Sequence, residues 1–347
     1  MKVVKIQSQG KAAVVEAPLP KLRPSYILVK NVAVALNPTD WKHVHNFPNT
    51  TGCTAGCDFA GIVAAMGENV TAPLKVGSRV CGFAHGGNVQ NHEDGAFGEY
   101  LVAKDGPIME VPDNLSFEEA ATLGVGVTTV GQGLYQSLGL PLPDQPSPKR
   151  FWVFIYGGST ATGALAIQYA KCSGLDVVTT CSPRNFDLVK KLGASEAFDY
   201  NSPTCGADIR KYTNNACYFA FDCISEGISP KICAEALTSN SETKKPAYSA
   251  LLACDVPRED VEKKYTLGYT VNGEFFTKGK NEFPAKAEDY EFGKMFWQLS
   301  QELFKEGKVK VHTPEVREGG LEGVLQGMEE HRLGKVSGKK LVYRIES

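Results

Sequence analysis

The sequence predicts an α/β protein in which a strongly curved β segment precedes a parallel sheet wrapped by helices. Three observations predict it. Phe151 to Gly163, FWVFIYGGSTATG, begins as an apolar run of aromatic and β-branched residues, the pattern of a strand buried on both faces. It turns on Gly157 and Gly158 into the apolar-periodic segment Ala164 to Ala170. Strand and helix patterns then alternate at 151–156, 164–172, 176–181, 185–192, 197–200, 218–223, 229–237 and 248–253, which argues for parallel strands. Residues 1 to about 120 instead carry short β runs broken by glycine, the pattern of a small barrel.

A strand, a glycine turn and a helix start make an anion site, because the first N–H groups of the helix are free and its dipole favours a phosphate there. Gly157 and Gly158 let the main chain approach that phosphate, and Gly163 lets the helix pack on the sheet. Candidate phosphate-turn residues are Gly157, Gly158, Ser159, Thr160, Ala161 and Thr162. The next β run, Asp176 to Cys181, ends where an acid would read the ribose of NAD. Ser182-Pro183-Arg184-Asn185 stands there instead, one hydroxyl and one guanidinium, which suits the 2′-phosphate of NADPH. The alternative is a capping serine and a solvated arginine at the start of a helix over 185–192. Tyr200, ending the next strand, either lies along the adenine or caps the sheet edge.

A net charge of −2 gives no electrostatic reason to expect nucleic acid or an anionic membrane as partner. No apolar run is long enough to span a bilayer. The start, MKVVKIQSQGKAAVV, reads as strand and lacks the apolar core of a signal peptide. Ten scattered cysteines, several in apolar stretches, read as small core residues of a reducing compartment, so a cytoplasmic location is expected.

Along the chain, Tyr26 to Ala35 (YILVKNVAVA) alternates as a strand with one wet face, and Lys75 to Val80 is a tight turn into another. The proline-rich stretch Pro141 to Pro148 is an extended connector. Phe292 to Phe304 is amphipathic, Leu321 to Glu330 helical, and Lys340 to Ile345 a closing strand. Lys244-Lys245-Pro246 and the charged run 255–260 bracket the strand Tyr248 to Ala253, which discourages edge pairing between copies, so a monomer is expected.

NPTDWK (37–42), GCDFAG (56–61), KVGSRV (75–80), DGAFGEY (94–100), Phe117 to Leu123, YGGSTATG (156–163) and the final SGKKLV together resemble the medium-chain dehydrogenase/reductase superfamily over nearly the whole chain. The resemblance implies a GroES-like β-barrel catalytic domain built from both chain ends with a Rossmann dinucleotide-binding domain inserted between. The expected boundaries are 1–122, 123–275 and 276–347. YGGSTATG with CSPRNFDL and FDY is most similar to the zinc-independent, trans-acting enoyl reductases of fungal polyketide synthesis, of the ToxD-like and lovastatin type. That resemblance implies the acyl carrier domain of a polyketide synthase as partner and a small enoyl group as substrate.

The sequence departs from zinc alcohol dehydrogenases at their metal ligands. Asn37-Pro38-Thr39-Asp40 replaces the early cysteine loop, Cys57-Asp58 replaces the His-Glu pair, and the four-cysteine lobe is missing. His43, His45, His85 and His92 fall in polar stretches without metal spacing and read as solvated, so no metal is expected. Reduction of an activated C=C suits such a site. It requires hydride at the β-carbon, a donor to the developing enolate and a proton for the α-carbon.

By resemblance, Thr39, Asp40, Trp41 and Lys42 lie beside the nicotinamide ribose, Leu251 and Leu252 flank the nicotinamide, and Val336 and Ser337 return to the cofactor. Val127, Thr128, Thr129, Val130, Gly131, Gln132, Gly133, Leu134 and Tyr135 line the substrate channel, and Thr270, Val271, Asn272, Gly273 and Glu274 border the acyl pocket. Lys42 and Thr129 are the catalytic candidates, against a surface lysine and a helix-bonded threonine. Tyr135 is a proton source or a core aromatic. A quinone or free-enone reductase of the same superfamily is the alternative activity, and a cofactor-binding scaffold without turnover is the non-enzymatic one.

Overall fold

The computed structural model describes residues 1–242 and 244–345, and its backbone divides into two compact units. One comprises 1–128, 269–307 and the chain from 311 onward; the other comprises 129–268 and 308–310. The breaks expected after 122 and 275 therefore move to 128 and 268, and the last two residues of the expected 276–347 segment lie outside the described residues. The second break moves because residues 269–275 bond to the barrel unit. Tyr269 bonds Thr39, and Glu274 accepts from Tyr26 and Lys104.

In the barrel unit, β1 (Lys2–Ser8) and β2 (Lys11–Glu16) form an antiparallel pair. The long strand β3 (Tyr26–Ala35) is followed by helix α1 (Pro38–Asn46), β4 (Asp58–Met66), β5 (Arg79–Phe83), β6 (Tyr100–Lys104) and β7 (Ile108–Glu110). β3 lies between β4 and β6, and β4, β5 and β7 continue the sheet. The β3–β4 register slips at Leu28/Val29 and Asn31/Ala33, irregularities of the kind that bend a strand and allow a sheet to curl. Gly61 sits opposite Asn31, where a Cβ would fall 2.3 Å from the Lys30 carbonyl oxygen, so close backbone approach dictates this glycine. Helices α2 (Phe117–Ala120) and α3 (Gly124–Val130) follow.

The second unit alternates β8 (Trp152–Tyr156), α4 (Ala161–Cys172), β9 (Asp176–Thr180), α5 (Phe186–Lys191), β10 (Glu196–Phe198), α6 (Cys205–Tyr212), β11 (Cys217–Asp222), α7 (Ser229–Ala236), β12 (Ala247–Ala250) and β13 (Glu262–Tyr265). Its six strands are all parallel in the order β10-β9-β8-β11-β12-β13. The order reverses between β8 and β11, and ligands of such sheets bind beyond the strand ends at that point. Two elements differ from expectation. α6 carries Lys, Arg and Asp between few apolar residues, which hides its periodicity. β13 reads EKKY and is exposed along its whole length, so β12 is not the edge strand that the sequence suggested. Lysines at 263 and 264 occupy that edge, where they discourage strand addition.

The chain then returns to the barrel unit through the hairpin β14 (Phe276–Lys278) and β15 (Asn281–Phe283), helix α8 (Ala287–Lys305), β16 (Pro314–Arg317), helix α9 (Gly320–Arg332) and β17 (Lys340–Arg344). β17 pairs parallel with β16 and antiparallel with β3, so the last strand joins the sheet built on the long strand β3. Phe59, Phe97, Leu101, Val324 and Leu341 belong to one apolar core beneath this sheet.

A charged pair is buried in the barrel unit. Lys340 Nζ lies 2.5 Å from Asp58 Oδ2, with the two side chains 2% and 0% exposed. Lys340 also donates to Asn37 Oδ1 at 2.9 Å and to the Thr122 carbonyl at 3.0 Å, and Asp58 Oδ1 accepts from Val125 N at 2.6 Å. Asn37 caps α1, and Asp40 closes a reciprocal box by accepting from Asn37 N at 2.7 Å. Asp40 is fully enclosed. Burial pushes its carboxyl up to about 8, the Asn37 N–H opposes that, Asp58 adds to it and Lys340 opposes it.

Two outcomes follow from this knot. Lys340→Met leaves Asp58 buried without its counter-charge and should cost about 3–5 kcal/mol in urea unfolding; a loss below about 1 kcal/mol would contradict the burial. For Asp40, the raised folded-state value means that the protonated carboxyl favours the native state, an advantage complete below about pH 4 and lost as pH rises through 8. Wild-type stability should therefore fall relative to Asp40→Asn between pH 5 and 8, by at most about 1.4 kcal/mol per pH unit. A pH-independent difference between the two proteins would show that Asp40 is already ionised.

Candidate functional site

In the second unit β8 runs directly into the glycine turn. Gly157 has φ +81°, and its N–H donates to Thr180 Oγ1 at 3.1 Å, while Gly158 N–H donates to the Thr180 carbonyl at 2.9 Å. The turn is thus fastened to the end of β9. Thr160 caps α4, accepting from Gly163 N at 3.0 Å and donating to the Gly157 carbonyl at 2.8 Å. A Cβ at Gly158 would fall 2.2 Å from Thr179 Oγ1, and one at Gly163 would fall 2.2 Å from the Gly157 oxygen. Only glycine fits either place. Ser159, Thr160, Ala161 and Thr162 remain partly accessible at the N-terminus of this 12-residue helix, a cradle suited to a dinucleotide phosphate.

Ser182 and Tyr200 meet beside it, with their hydroxyls 3.0 Å apart, and the Tyr200 ring lies 6.3 Å from that of Tyr156. The Ser182 side chain makes no helix cap, so the capping alternative for this serine is not realised. Pro183 and Arg184 are exposed on the same short turn and Asn185 is half-buried.

A hub that the sequence did not reveal lies at the end of β11. The wholly buried Asp222 accepts from Ile224 N (2.9 Å), Ser225 N (2.8 Å), Ser229 Oγ (2.6 Å) and Tyr248 OH (2.8 Å). Ser225 has φ +59°, and its Oγ accepts from Leu251 N at 2.8 Å, which fixes the start of the Leu251–Leu252 segment. A single aspartate followed by Cys-Ile-Ser carries no periodic signal, so only the fold shows its convergence.

In the barrel unit Thr39, Trp41 and Lys42 are half-buried on the first turns of α1, whereas Asp40 serves the helix cap and has no accessible surface. Thr39 Oγ1 lies 2.6 Å from Tyr269 OH, and Cys57 Sγ lies 3.7 Å from the same hydroxyl. Tyr269 is stacked on His85 at 4.4 Å between ring centroids and meets His43 edge-on at 5.5 Å, with Lys278 Nζ 4.4 Å above its ring. The expectation of solvated histidines is corrected for two of the four. His43 and His85 are buried because β14 and Tyr269 cover them, while His45 is half-buried and His92 exposed. Burial pulls His85 down to about 3 and Lys278 down to about 8, and it raises the Cys57 thiol and the Tyr269 phenol.

This donor set does not fit a zinc ion. The Cys57 thiol is enclosed and engaged with Tyr269, and the Lys278 ammonium bears on both imidazoles. Among the described residues no three His, Cys, Asp or Glu side chains are grouped to hold a metal.

The remaining candidate residues are distributed as follows. Val127 and Thr128 are buried in the barrel unit, where Trp297 Nε1 donates to Thr128 Oγ1 at 3.2 Å. Thr129 to Tyr135 belong to the other unit and are buried, in part as a π-helical stretch, Gly131–Ser137. Within it Gly133 packs so tightly on Phe221 that a Cβ would fall 2.3 Å from the ring, and Tyr135 OH lies 2.9 Å from Ser173 Oγ. The two catalytic candidates, Lys42 and Thr129, thus stand in different units. Thr270, Val271 and Asn272 are buried and Gly273 has φ +66°. The Glu274 carboxylate accepts from Tyr26 OH at 2.6 Å and from Lys104 at 2.9 Å, which anchors the segment to β3 and β6. Val336 packs on the barrel core and Ser337 is exposed.

Comparison with known proteins places this geometry. Residues 23–113 match the alcohol dehydrogenase GroES-like domain, and residues 161–242 match the zinc-binding dehydrogenase family. The chain is 49% identical to the trans-enoyl reductase ACTTS2 of Alternaria alternata, over 98% of this chain and 98% of that protein. It is 44% identical to the trans-enoyl reductase resD of Aspergillus sclerotiorum, over 99% of this chain and 100% of that one. Its backbone is similar to the crystal structure of a putative zinc-dependent alcohol dehydrogenase from Rhizobium etli CFN 42, with a TM-score of 0.82 at 22% identity over 100% and 98% of the two chains. A GroES-like barrel carrying an inserted Rossmann-like domain, a glycine turn opening a helix at the end of its first strand and this degree of identity lead to one assignment: the chain belongs to the trans-enoyl reductases of the medium-chain dehydrogenase/reductase superfamily.

Proposed function

We propose that this oxidoreductase uses NADPH to reduce the α,β-double bond of an enoyl thioester held on the acyl carrier domain of a polyketide synthase. The observation that carries the cofactor choice is the pairing of Ser182 with Tyr200 beside an exposed Arg184, with no acid among residues 182–185. A carboxylate there would favour a free ribose hydroxyl; a guanidinium favours a phosphate. When bound, the nicotinamide supplies the hydride.

The chain's own residues bind and orient. The α4 cradle holds the diphosphate, and Thr39, Trp41 and Lys42 face the ribose on the nicotinamide side, with Asp40 serving only the helix cap. The Ser225–Leu251 bond holds the Leu251–Leu252 segment in place. Lys42 is the proposed donor toward the developing enolate oxygen, with Thr129 as the alternative, and the stretches 127–135 and 270–274 are proposed to supply acyl-binding residues. Cys57, His43 and His85 do not offer zinc a ligand set. The lysine-bearing edge at β13 supports action as a monomer. Among the described residues no helix is long and apolar enough to cross a membrane.

Arg184→Ala removes one charge-assisted phosphate contact, worth about 1.5–3 kcal/mol. The Kd for NADPH should rise at least tenfold by calorimetry while that for NADH stays the same; equal weakening of both cofactors would refute the 2′-phosphate assignment. Substrate class is tested separately. Binding energy along a long acyl chain is available to orient the alkene, so longer α,β-unsaturated thioesters should turn over faster than crotonyl thioester, and carrier-bound acyl groups faster than free ones. Small quinones outpacing every thioester would replace this reading with quinone reduction.

A further inference from the structure

Tyr269 lies just outside the segment assigned to the acyl surface, and neither the cofactor nor the substrate assignment uses it. Its phenol is enclosed, with 5% of the residue exposed. Buried phenols are costly to leave without a partner, and this one is directed at Thr39 Oγ1, 2.6 Å away, with Cys57 Sγ as a weaker neighbour at 3.7 Å. The ring cannot swing away. His85 stacks on one face, His43 and Phe83 lie 5.5 Å away, Phe276 lies at 6.0 Å, and Lys278 sits over the ring. The phenol oxygen is therefore a fixed point.

Thr39 differs from it in one respect: it is only half-buried. One side of its hydroxyl meets Tyr269, and the residue also keeps accessible surface. It stands at the second position of α1, whose start is held by the Asn37–Asp40 box. The backbone is therefore set, and the side-chain torsion is the freedom that remains. A threonine has few rotamers, and a 2.6 Å bond to an immobile phenol selects one of them.

We infer that Tyr269 is a positioning residue for cofactor binding: its hydroxyl holds the Thr39 hydroxyl in the one orientation that receives the cofactor. The inference rests on the assignment of Thr39 to the cofactor surface made above. Tyr269 acts through Thr39, so its hydroxyl has value only while Thr39 has one.

The test is a double-mutant cycle read as the Kd for NADPH by isothermal calorimetry on the full chain, with thermal melts of the cofactor-free proteins alongside. Tyr269→Phe keeps the ring and its contacts and removes one oxygen. Tyr269→Phe and Thr39→Val should each raise Kd roughly fivefold to tenfold, the worth of one hydrogen bond. The double variant should be no worse than Thr39→Val alone, and Thr39→Ser, which keeps the hydroxyl, should stay within about twofold of wild type. A merely structural tyrosine would lower the melting temperature and leave Kd alone, and that result overturns the inference. So does a double variant in which the two losses multiply. If Thr39→Val itself leaves NADPH binding unchanged, the cofactor assignment of Thr39 fails and this inference falls with it, whereas the Arg184 assignment stands or falls on its own titration.

Discussion

The barrel unit depends on one buried contact, that between Asp58 and Lys340. Removing two charges from water is expensive, and their attraction recovers the cost only where geometry is good and the remaining donors and acceptors are satisfied. Here they are met by Asn37, the Thr122 carbonyl and the Val125 N–H. Four stretches distant in sequence must arrive at one point for the pair to form: the start of β4, the start of β17, the cap of α1, and the chain on either side of Leu123. A buried ion pair is a modest source of net stability but a strict condition on arrangement. It makes closure of the barrel by the C-terminal strand and the start of α1 a single event.

The same logic extends to the residues assigned chemistry. Thr39 to Lys42 stand on a helix whose first turn is fixed by that knot, and Tyr269 adds a second restraint from the chain that returns after the inserted domain. In the Rossmann-like unit the restraints are of another kind. The glycine turn is bonded to the end of the neighbouring strand through Thr180, and the Leu251 loop hangs from Asp222 by way of Ser225. In both units a buried polar group that must be satisfied supports a partly accessible residue.

These features were unequally legible in the sequence. The strand at 152–156, its glycine turn and the alternation after it follow from local patterning, because a strand covered on both faces shows as an unbroken apolar run. The closing strand at 340–344 was legible for the same reason. β13 was not, since a strand with no buried face has no alternation to detect. His43 and His85 were misread because their neighbours Lys42, Asn46 and Gly86 are polar or small, while the residues that bury them, Tyr269 and β14, lie far downstream, beyond the inserted unit. The roles of Asp222 and Tyr269 are likewise properties of convergence between distant segments. Motif spacing marked the stretches assigned to the site; the supports beneath them required the fold.

The contact between Gly158 and Thr179 has a bearing on how this cradle can change. The Thr179 hydroxyl donates to the Ile155 carbonyl at 2.6 Å, so it cannot rotate away from the glycine without losing that bond inside the sheet. The glycine is therefore demanded by a side chain on the adjacent strand as much as by any phosphate. With a smaller residue at 179, position 158 would escape its closest clash, leaving Ile167 and the residue 179 Cβ at about 3 Å to bound what could enter. The two positions are thereby coupled: while threonine stands at 179, any side chain at 158 meets its hydroxyl, so a smaller residue on β9 is a precondition for replacing the glycine.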